Sequence, residues 1–83
     1  MITYGFTKHA DRQMRKLPTE TQKRIVRKIK FYILTENPLH FAKLITDDKD
    51  KTYRFRIGDY RIFFDWKNNH IKVNNIKPRP RAY

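Results

Sequence analysis

Over residues 53–66, apolar and polar side chains alternate in two runs that are separated by Gly58 and Asp59. A period of two predicts strands, and Gly at the first central position of a two-residue loop is typical of a tight hairpin turn. Such a loop places Arg56 opposite Arg61. The predicted apolar face consists of Tyr53, Phe55, Ile57, Tyr60, Ile62 and Phe64, and the other face collects Arg54, Arg56, Arg61, Phe63 and Asp65.

The N-terminal half of the chain holds three further periodic segments. Alternation over residues 1–6 predicts a short strand. Apolar residues at helical spacing predict a helix over about 8–16, with Thr7 as its N-cap, and a second helix over about 19–35. The second helix is predicted to begin with a capping box at 19–22, and the Asn-Pro pair that follows it ends it. Its predicted apolar stripe is Ile25, Val26, Ile29, Tyr32 and Ile33.

The remaining segments complete the predicted fold. Residues 37–52 lack a periodic pattern and are predicted to be an irregular connector, anchored by Phe41, Leu44 and Ile45. A turn at 67–70 leads to a last strand over about 71–76. The alternation of apolar residues in that strand shifts by one position between Val73 and Ile76, which predicts a bulge near Asn74 and Asn75. The prolines of the tail prevent a regular strand beyond this point. The predicted order is β-α-α-β-β-β, an α+β fold with two helices packed on a mostly antiparallel sheet.

Composition restricts the possible functions. A length of 83 residues predicts one domain over 1–83. The chain has no cysteine and no serine, which excludes disulfides, thiolate metal sites and a serine nucleophile. Its histidines are too scattered to predict a metal site, and no cofactor motif is present. No apolar run is long enough for a signal peptide or a membrane helix, so we expect a cytoplasmic protein without a membrane partner.

Charge is the most informative property of the composition. Lys and Arg number 20 against 8 Asp and Glu, a net charge of +12. The excess lies in residues 1–36 and 53–83, while 37–52 is neutral. The electrostatic field of such an excess of positive charge favours a nucleic acid or an acidic protein as partner.

Two placements of positive charge need separate explanations. Like charges opposite each other destabilise a hairpin, so Arg56 opposite Arg61 is better explained by a bound anion than by folding. The basic run of the second helix, at 23–30, is either a solvated face or a contact surface.

The hairpin resembles one in the RelE/ParE superfamily of bacterial toxins of toxin–antitoxin systems. The similarity extends to the helical pair, the Asn37-Pro38 helix end, the Ala42–Leu44 segment and the basic tail that ends at Tyr83, and so covers nearly the whole chain. The resemblance implies a small sheet backed by two helices. Many members cut messenger RNA in the ribosomal A site, and others inhibit DNA gyrase. Each is normally held inactive by an antitoxin that is encoded beside it.

The resemblance also implies site residues. Nuclease members carry two basic residues on the first hairpin strand, an arginine on the second strand, and an arginine and a tyrosine in the tail. These positions fall on Arg54, Arg56, Arg61, Arg79 and Tyr83, the expected catalytic residues. RNA binding is expected to involve Arg54, Arg56, Lys77 and Arg81. The implied reaction needs no metal or cofactor: the ribose 2′-OH attacks the neighbouring phosphate, and Arg61 and Arg79 stabilise the phosphorane.

Several groups are candidates for the general base of this reaction. Nuclease members often have lysines on the first strand, whereas Arg54 and Arg56 cannot accept a proton because arginine stays protonated. Tyr83, Lys77 or the ribosome itself would then supply the base, and Tyr83 would alternatively stack on a nucleobase. The expected function is a ribosome-dependent messenger RNA endoribonuclease. The alternatives are a gyrase inhibitor without nuclease activity and a basic RNA-binding module without toxicity. The expected partners are an antitoxin with an acidic or amphipathic segment and messenger RNA on the ribosome.

Overall fold

The hairpin around Gly58 forms the centre of a five-stranded sheet. The computed structural model describes residues 1–47 and 51–80. Its elements are β1 (Thr3–Phe6), α1 (Lys8–Arg15), α2 (Thr19–Leu34), a 3₁₀ helix (Pro38–Phe41), β2 (Ala42–Asp47), β3 (Lys51–Ile57), β4 (Tyr60–Lys67) and β5 (His70–Pro78). The strand order is β1-β5-β4-β3-β2. Only β1 and β5 run parallel, so the predicted α+β fold with a mostly antiparallel sheet is confirmed.

The predicted hairpin register is also confirmed. Ile57 pairs with Tyr60, and Arg56 pairs with Arg61. Gly58 has φ of +58°, a left-handed conformation that glycine adopts without a steric penalty. The second turn, between β4 and β5, has positive φ at Asn68 and Asn69, as a primed two-residue turn requires.

The helices cover one face of the sheet and form the core with it. Alternation along β3 and β4 buries four side chains on this face, and helical spacing buries those of α1 and α2 above them. The core consists of Ala10, Met14, Ile25, Ile29, Tyr32, Phe55, Ile57, Ile62, Phe64, Ile71, Val73 and Ile76. Most of the predicted stripe of α2 is therefore buried, and Val26 and Ile33 pack at its margin. In the part of the chain that is described, no helix is both long and apolar enough to cross a membrane.

The prediction of an irregular connector at 37–52 is wrong, because this segment contains the 3₁₀ helix and the additional strand β2. The observed order is therefore β-α-α-β-β-β-β. Leu44 and Ile45 are not buried anchors, since 42% and 40% of their surface is exposed. β2 is an edge strand with a register shift between Leu44 and Thr46. Residues 43–46 are exposed and Ala42 is only partly buried, so burial imposes no alternating pattern on this segment. Phe41 is 40% exposed but stacks on the Tyr32 ring with the ring centres 4.7 Å apart.

The capping box predicted at the start of α2 is also wrong. Pro18 occupies the N-cap position, so Thr19 is already inside the helix and cannot cap it. The Gln22 side chain instead donates a hydrogen bond to the Leu17 carbonyl oxygen, at 2.9 Å. Thr7 does cap α1, because its hydroxyl accepts from the Ala10 backbone N–H at 3.1 Å.

The last strand contains the predicted bulge but ends later than the sequence indicates. Phe63 pairs with Asn75 and Phe64 with Val73, which leaves Asn74 as the extra residue. The strand continues to Pro78, which pairs with Tyr60. Proline is tolerated there because the next backbone N–H, that of Arg79, makes the hydrogen bond across the ladder, to Asp59. The missing donor of Pro78 therefore faces away from β4.

Candidate nucleic-acid interface

The outer face of the sheet, opposite the helices, carries the predicted basic residues. Alternation along β3, β4 and β5 places them side by side, because each residue that pairs across a ladder shares the face of its partner. One row runs Arg56, Arg61 and Lys77, and the adjacent row runs Lys43, Arg54, Phe63 and Asn75. We refer to the surface formed by Arg54, Arg56, Arg61, Phe63, Asn75 and Lys77 as the arginine face.

The arginine face carries cations that form no salt bridge with any described residue. The Nε atoms of Arg54 and Arg61 are buried, and no described residue accepts a hydrogen bond from either. Burial, followed by the charges of Arg56 and Arg61, lowers the pKa of the Arg54 guanidinium. Arginine nonetheless stays protonated in proteins, so the folded chain carries this unfavourable charge at neutral pH. A bound anion would offset the repulsion among these cations.

Phe63 lies between two of the cations. The Arg61 guanidinium carbon is 5.6 Å from the centre of the Phe63 ring, and the Lys77 ammonium nitrogen is 5.9 Å from it. Both distances are within the range of cation–π attraction. An Arg61 Nη2 also donates to the Pro78 carbonyl oxygen, at 3.3 Å on the surface. These contacts hold Arg61 against the sheet while leaving its guanidinium accessible at one side.

The tail residues are only partly described. The Arg79 backbone N–H donates to the Asp59 carbonyl oxygen at 2.6 Å, which extends the β4–β5 ladder by one pair. Strand alternation then puts the exposed Arg79 side chain on the side of Lys77. Arg81 and Tyr83 lie outside the described residues. Of the two candidate bases within the chain, the structure therefore describes only Lys77, which pairs directly with Arg61.

The sequence did not single out Gln13, and it indicated Asn75 only as part of the predicted bulge. The Gln13 Oε1 accepts from the Ile76 backbone N–H at 2.6 Å, and its Nε2 donates to the Asn75 Oδ1 at 2.9 Å. These bonds tie α1 to β5 immediately after the bulge. The shift in the alternation of apolar residues indicates the bulge. No local pattern in the sequence indicates that Asn75 in the bulge contacts a glutamine 62 residues earlier in the chain.

A small pocket opens beside the bulge. Its volume is about 190 Å³, and it is lined by Thr52, Phe63, Asn74, Asn75 and Lys77. It combines an aromatic ring, side-chain amides and an ammonium group at the margin of the arginine face. This mixture suits a flat polar ring attached to a phosphate.

The helix side of the molecule has a different character. A groove of about 440 Å³ is lined by the apolar Met14 and Val26, together with the polar and basic side chains of Gln22, Lys23, Arg27 and Lys30. The exposed basic residues predicted on α2 thus form the rim of an apolar groove. Near the other end of α2, Leu34 is 85% exposed and Phe31 is 54% exposed. In the described residues, no group of three or more histidine, aspartate or glutamate side chains has the arrangement of a metal site.

Comparison with known proteins identifies the family. The model of the family described as ParE toxin of type II toxin-antitoxin system, parDE, matches residues 4–83. The chain belongs to this family. The toxin is thus a RelE/ParE toxin of a type II toxin–antitoxin system, as its hairpin and tail predicted. The comparison with curated protein sequences found no match.

Solved structures of RelE toxins share the fold of this RelE/ParE toxin. The archaeal RelE–RelB complex from Pyrococcus horikoshii is 27% identical, with a TM-score of 0.73, and the match covers 98% of this chain and 97% of that one. The toxin–antitoxin complex RelBE2 from Mycobacterium tuberculosis is 25% identical, with a TM-score of 0.75 and coverage of 94% and 98%. The isolated Escherichia coli RelE toxin, at 15% identity and a TM-score of 0.75 over 99% and 88%, is similar in fold.

Proposed function

We propose that this toxin is a ribosome-dependent endoribonuclease that inhibits translation by cutting messenger RNA. The observation that carries this proposal is the arginine face, where Arg54, Arg56, Arg61 and Lys77 adjoin one another and no described residue is their counter-ion. A fixed cluster of guanidinium groups matches the oxygens of a phosphate. The pairing of these cations weakens the hairpin, which is understandable if the natural state of this face includes an anion.

The proposed reaction is a displacement within the RNA itself. The ribose 2′ oxygen attacks the adjacent phosphorus, and the bond from phosphorus to the 5′ oxygen of the next nucleotide breaks. The products are a 2′,3′-cyclic phosphate and a 5′-hydroxyl, so the attacking oxygen loses one proton and the leaving oxygen gains one. Arg61, with Arg79, would stabilise the extra charge of the phosphorane. Lys77, considered above as a candidate base, would instead act as an ammonium group that protonates the leaving oxygen, and Tyr83 or the ribosome would accept the 2′ proton.

Induced expression followed by primer extension on cellular messages tests the proposal. We expect new 5′ ends inside translated codons with the parental toxin and their loss with Arg61→Ala. Cleavage of a purified message should also require ribosomes. Messages that stay intact while the toxin arrests growth would overturn the nuclease.

Inhibition of DNA gyrase is the second candidate function. Two observations favour it: the matched family is described as ParE toxin, and arginines stand at positions where many nuclease members have lysines. DNA-damage signalling with intact messages would identify this activity. Expression without any effect on growth would instead favour the basic RNA-binding module.

We also propose that an acidic, amphipathic segment of a cognate antitoxin binds the groove between α1 and α2. The solved relatives from Pyrococcus horikoshii and Mycobacterium tuberculosis are complexes of a toxin with an antitoxin. In this chain, Met14 and Val26 offer an apolar surface, while Lys23, Arg27 and Lys30 surround it with positive charge. An amphipathic helix with acidic flanks is complementary to that arrangement.

Salt dependence tests the antitoxin proposal. We expect the association rate of the antitoxin to fall as salt rises, because rim charges act mainly on association. Lys30→Glu should slow association further and flatten the salt dependence. The matched control is Lys67→Glu, the same charge reversal at an exposed position near the second turn. Binding that is independent of salt, or equally affected by both variants, would contradict the proposed site.

A further inference from the structure

The pocket beside the bulge has a size and lining that suit one nucleobase. At about 190 Å³ it lies below the roughly 300–1,000 Å³ of pockets for drug-sized ligands, so it accommodates a single flat ring at most. Phe63 supplies an aromatic ring, and the Lys77 ammonium nitrogen, 5.9 Å from the centre of that ring, supplies a positive charge. The pocket adjoins Arg54 and Arg61, where the phosphate of the same RNA would lie.

The chain of hydrogen bonds behind the pocket fixes the orientation of the Asn75 amide. The Ile76 backbone N–H can only donate, so the Gln13 side chain must present its oxygen to it. The Gln13 amide nitrogen is then directed at Asn75, which must present its own oxygen. The remaining Asn75 group is its NH₂, for which no described residue is an acceptor. Asn75 therefore offers hydrogen-bond donors, and not an acceptor, at the pocket that it lines.

A donor at this position distinguishes two classes of base. Guanine and uracil carry a keto oxygen, an acceptor, where adenine and cytosine carry an amino group, a donor. An amino group placed against the Asn75 NH₂ would leave two donors facing each other without an acceptor, which is unfavourable when water is displaced. The surrounding cations also favour a ligand edge that is rich in acceptors.

We propose that this pocket binds one base of the target RNA and selects a keto base, guanine or uracil, through the Asn75 amide. Gln13 is the positioning residue, since it reaches no ligand itself and acts by holding Asn75. This inference rests on the proposed action on RNA, but it concerns recognition and not cleavage. The alternative is that Gln13 and Asn75 only hold the bulge, and that role predicts a loss of stability without any change in base preference.

Two isosteric variants should abolish or reverse the expected preference. In Asn75→Asp, the carboxylate still accepts from Gln13 and presents a second oxygen, an acceptor, to the pocket. In Gln13→Glu, the carboxylate still accepts from the Ile76 N–H but can no longer donate to Asn75. The Asn75 amide should then rotate to donate to the new carboxylate, which turns its oxygen towards the pocket although Asn75 itself is unchanged. Asn37→Asp is the matched control, because the Asn37 side chain is exposed and caps no helix.

The decisive experiment measures binding of short 2′-O-methyl oligouridine and oligocytidine, which cannot be cut. These probes differ at the base position that carries the keto or amino group. We expect the parental toxin and Asn37→Asp to bind oligouridine about tenfold more tightly, the scale of one good hydrogen bond against an unpaired donor. Asn75→Asp and Gln13→Glu should abolish or reverse this ratio, whatever they do to the overall affinity.

The outcomes distinguish failure of the proposed base-binding pocket from failure of the proposed nuclease function. Equal affinity of the parental toxin for the two probes, or a ratio that survives Gln13→Glu in a folded protein, overturns the keto-selective pocket. If the ratio behaves as expected while the toxin cuts no message, the pocket stands and only the nuclease proposal fails. If messages are cut but the ratio does not change among the variants, the nuclease stands without this pocket. A melting curve of each variant verifies that it is folded.

Discussion

Replacing Arg61 by alanine separates folding from catalysis on the arginine face. Arg61 pairs with Arg56 on one side and with Lys77 on the other. Each directly opposed like-charge pair costs about 0.2–1 kcal/mol, and the buried Nε, for which no described residue is an acceptor, adds a desolvation cost of about 1–3 kcal/mol. The substitution removes all of these unfavourable contributions.

The same substitution also removes favourable contacts of Arg61. The cation–π contact with Phe63 is worth about 0.5–1 kcal/mol, and the long surface hydrogen bond to Pro78 is worth at most about 1 kcal/mol. Alanine also has a lower strand propensity, by less than about 1 kcal/mol. The free energy of unfolding should therefore stay unchanged or rise by about 1 kcal/mol. In a chain of this size that corresponds to a Tm between unchanged and about 4–8 °C higher.

Activity should respond in the opposite direction. Losing one preorganised charge donor to a phosphorane typically costs about 2–4 kcal/mol of transition-state stabilisation, or roughly 30- to 1,000-fold in rate. Arg61→Lys should recover only part of that loss, because an ammonium group lacks the planar fork of donors.

The assay pairs a melting curve with the cleavage rate of one purified message on ribosomes. The matched control is Lys67→Ala, which removes an exposed positive charge from the same strand about 20 Å away. A folded Arg61→Ala protein that cuts at the parental rate would refute the assignment of this face as the active site. Unfolding together with loss of activity would instead show that Arg61 supports the structure.

Two further substitutions test the turn and the tail. Gly58→Ala should lower the free energy of unfolding by about 1–2 kcal/mol, because φ is +58° there and a Cβ would also lie 3.3 Å from the Arg24 guanidinium. Gly5→Ala is its control in chemical denaturation, since a Cβ there meets His70 only at an ordinary 3.6 Å, and an equal loss in both would contradict the reasoning. Arg79→Ala should reduce cleavage by about 10²–10³-fold with no change in Tm, since only the backbone of Arg79 joins the ladder. A fall in Tm that parallels the loss of cleavage would assign Arg79 a structural role.

The elements that sequence reasoning predicted best are those with one buried and one exposed face. The hairpin on either side of Gly58 was predicted to the residue pair because alternation and turn length together define the register. The helices were recognised from apolar residues at helical spacing. The bulge at Asn74 was recognised from a one-residue shift in the alternation of apolar residues along β5. The convergence of Arg54, Arg56 and Arg61 follows directly from that register. Their catalytic roles remain predictions.

The failures share a different physical cause. Strand β2 is exposed at the sheet edge, so its residues carry no burial pattern from which pairing with β3 could be inferred. The capping-box pattern at 19–22 placed the N-cap of α2 at Thr19, whereas Pro18 occupies that position in the folded chain. Gln13 and Asn75 meet only because α1 passes beside β5 in the folded chain. Contacts of this kind depend on the tertiary arrangement and have no local signature.

The two proposed surfaces lie on opposite sides of the sheet, and this separation limits how an antitoxin can neutralise the toxin. The groove is formed by α1 and α2, which cover the apolar side, whereas the arginines project from the other side. A segment that fills only the groove leaves Arg54 and Arg61 accessible to RNA. We therefore expect an antitoxin fragment restricted to the groove to bind the toxin without reducing message cleavage. The full antitoxin should inhibit, because inhibition requires a part of it to pass the edge of the sheet and cover the arginine face. Complete inhibition by the groove segment alone would show that occupancy of the groove is transmitted through the sheet, for which the hydrogen bonds of Gln13 on α1 to Asn75 and Ile76 on β5 provide a connection.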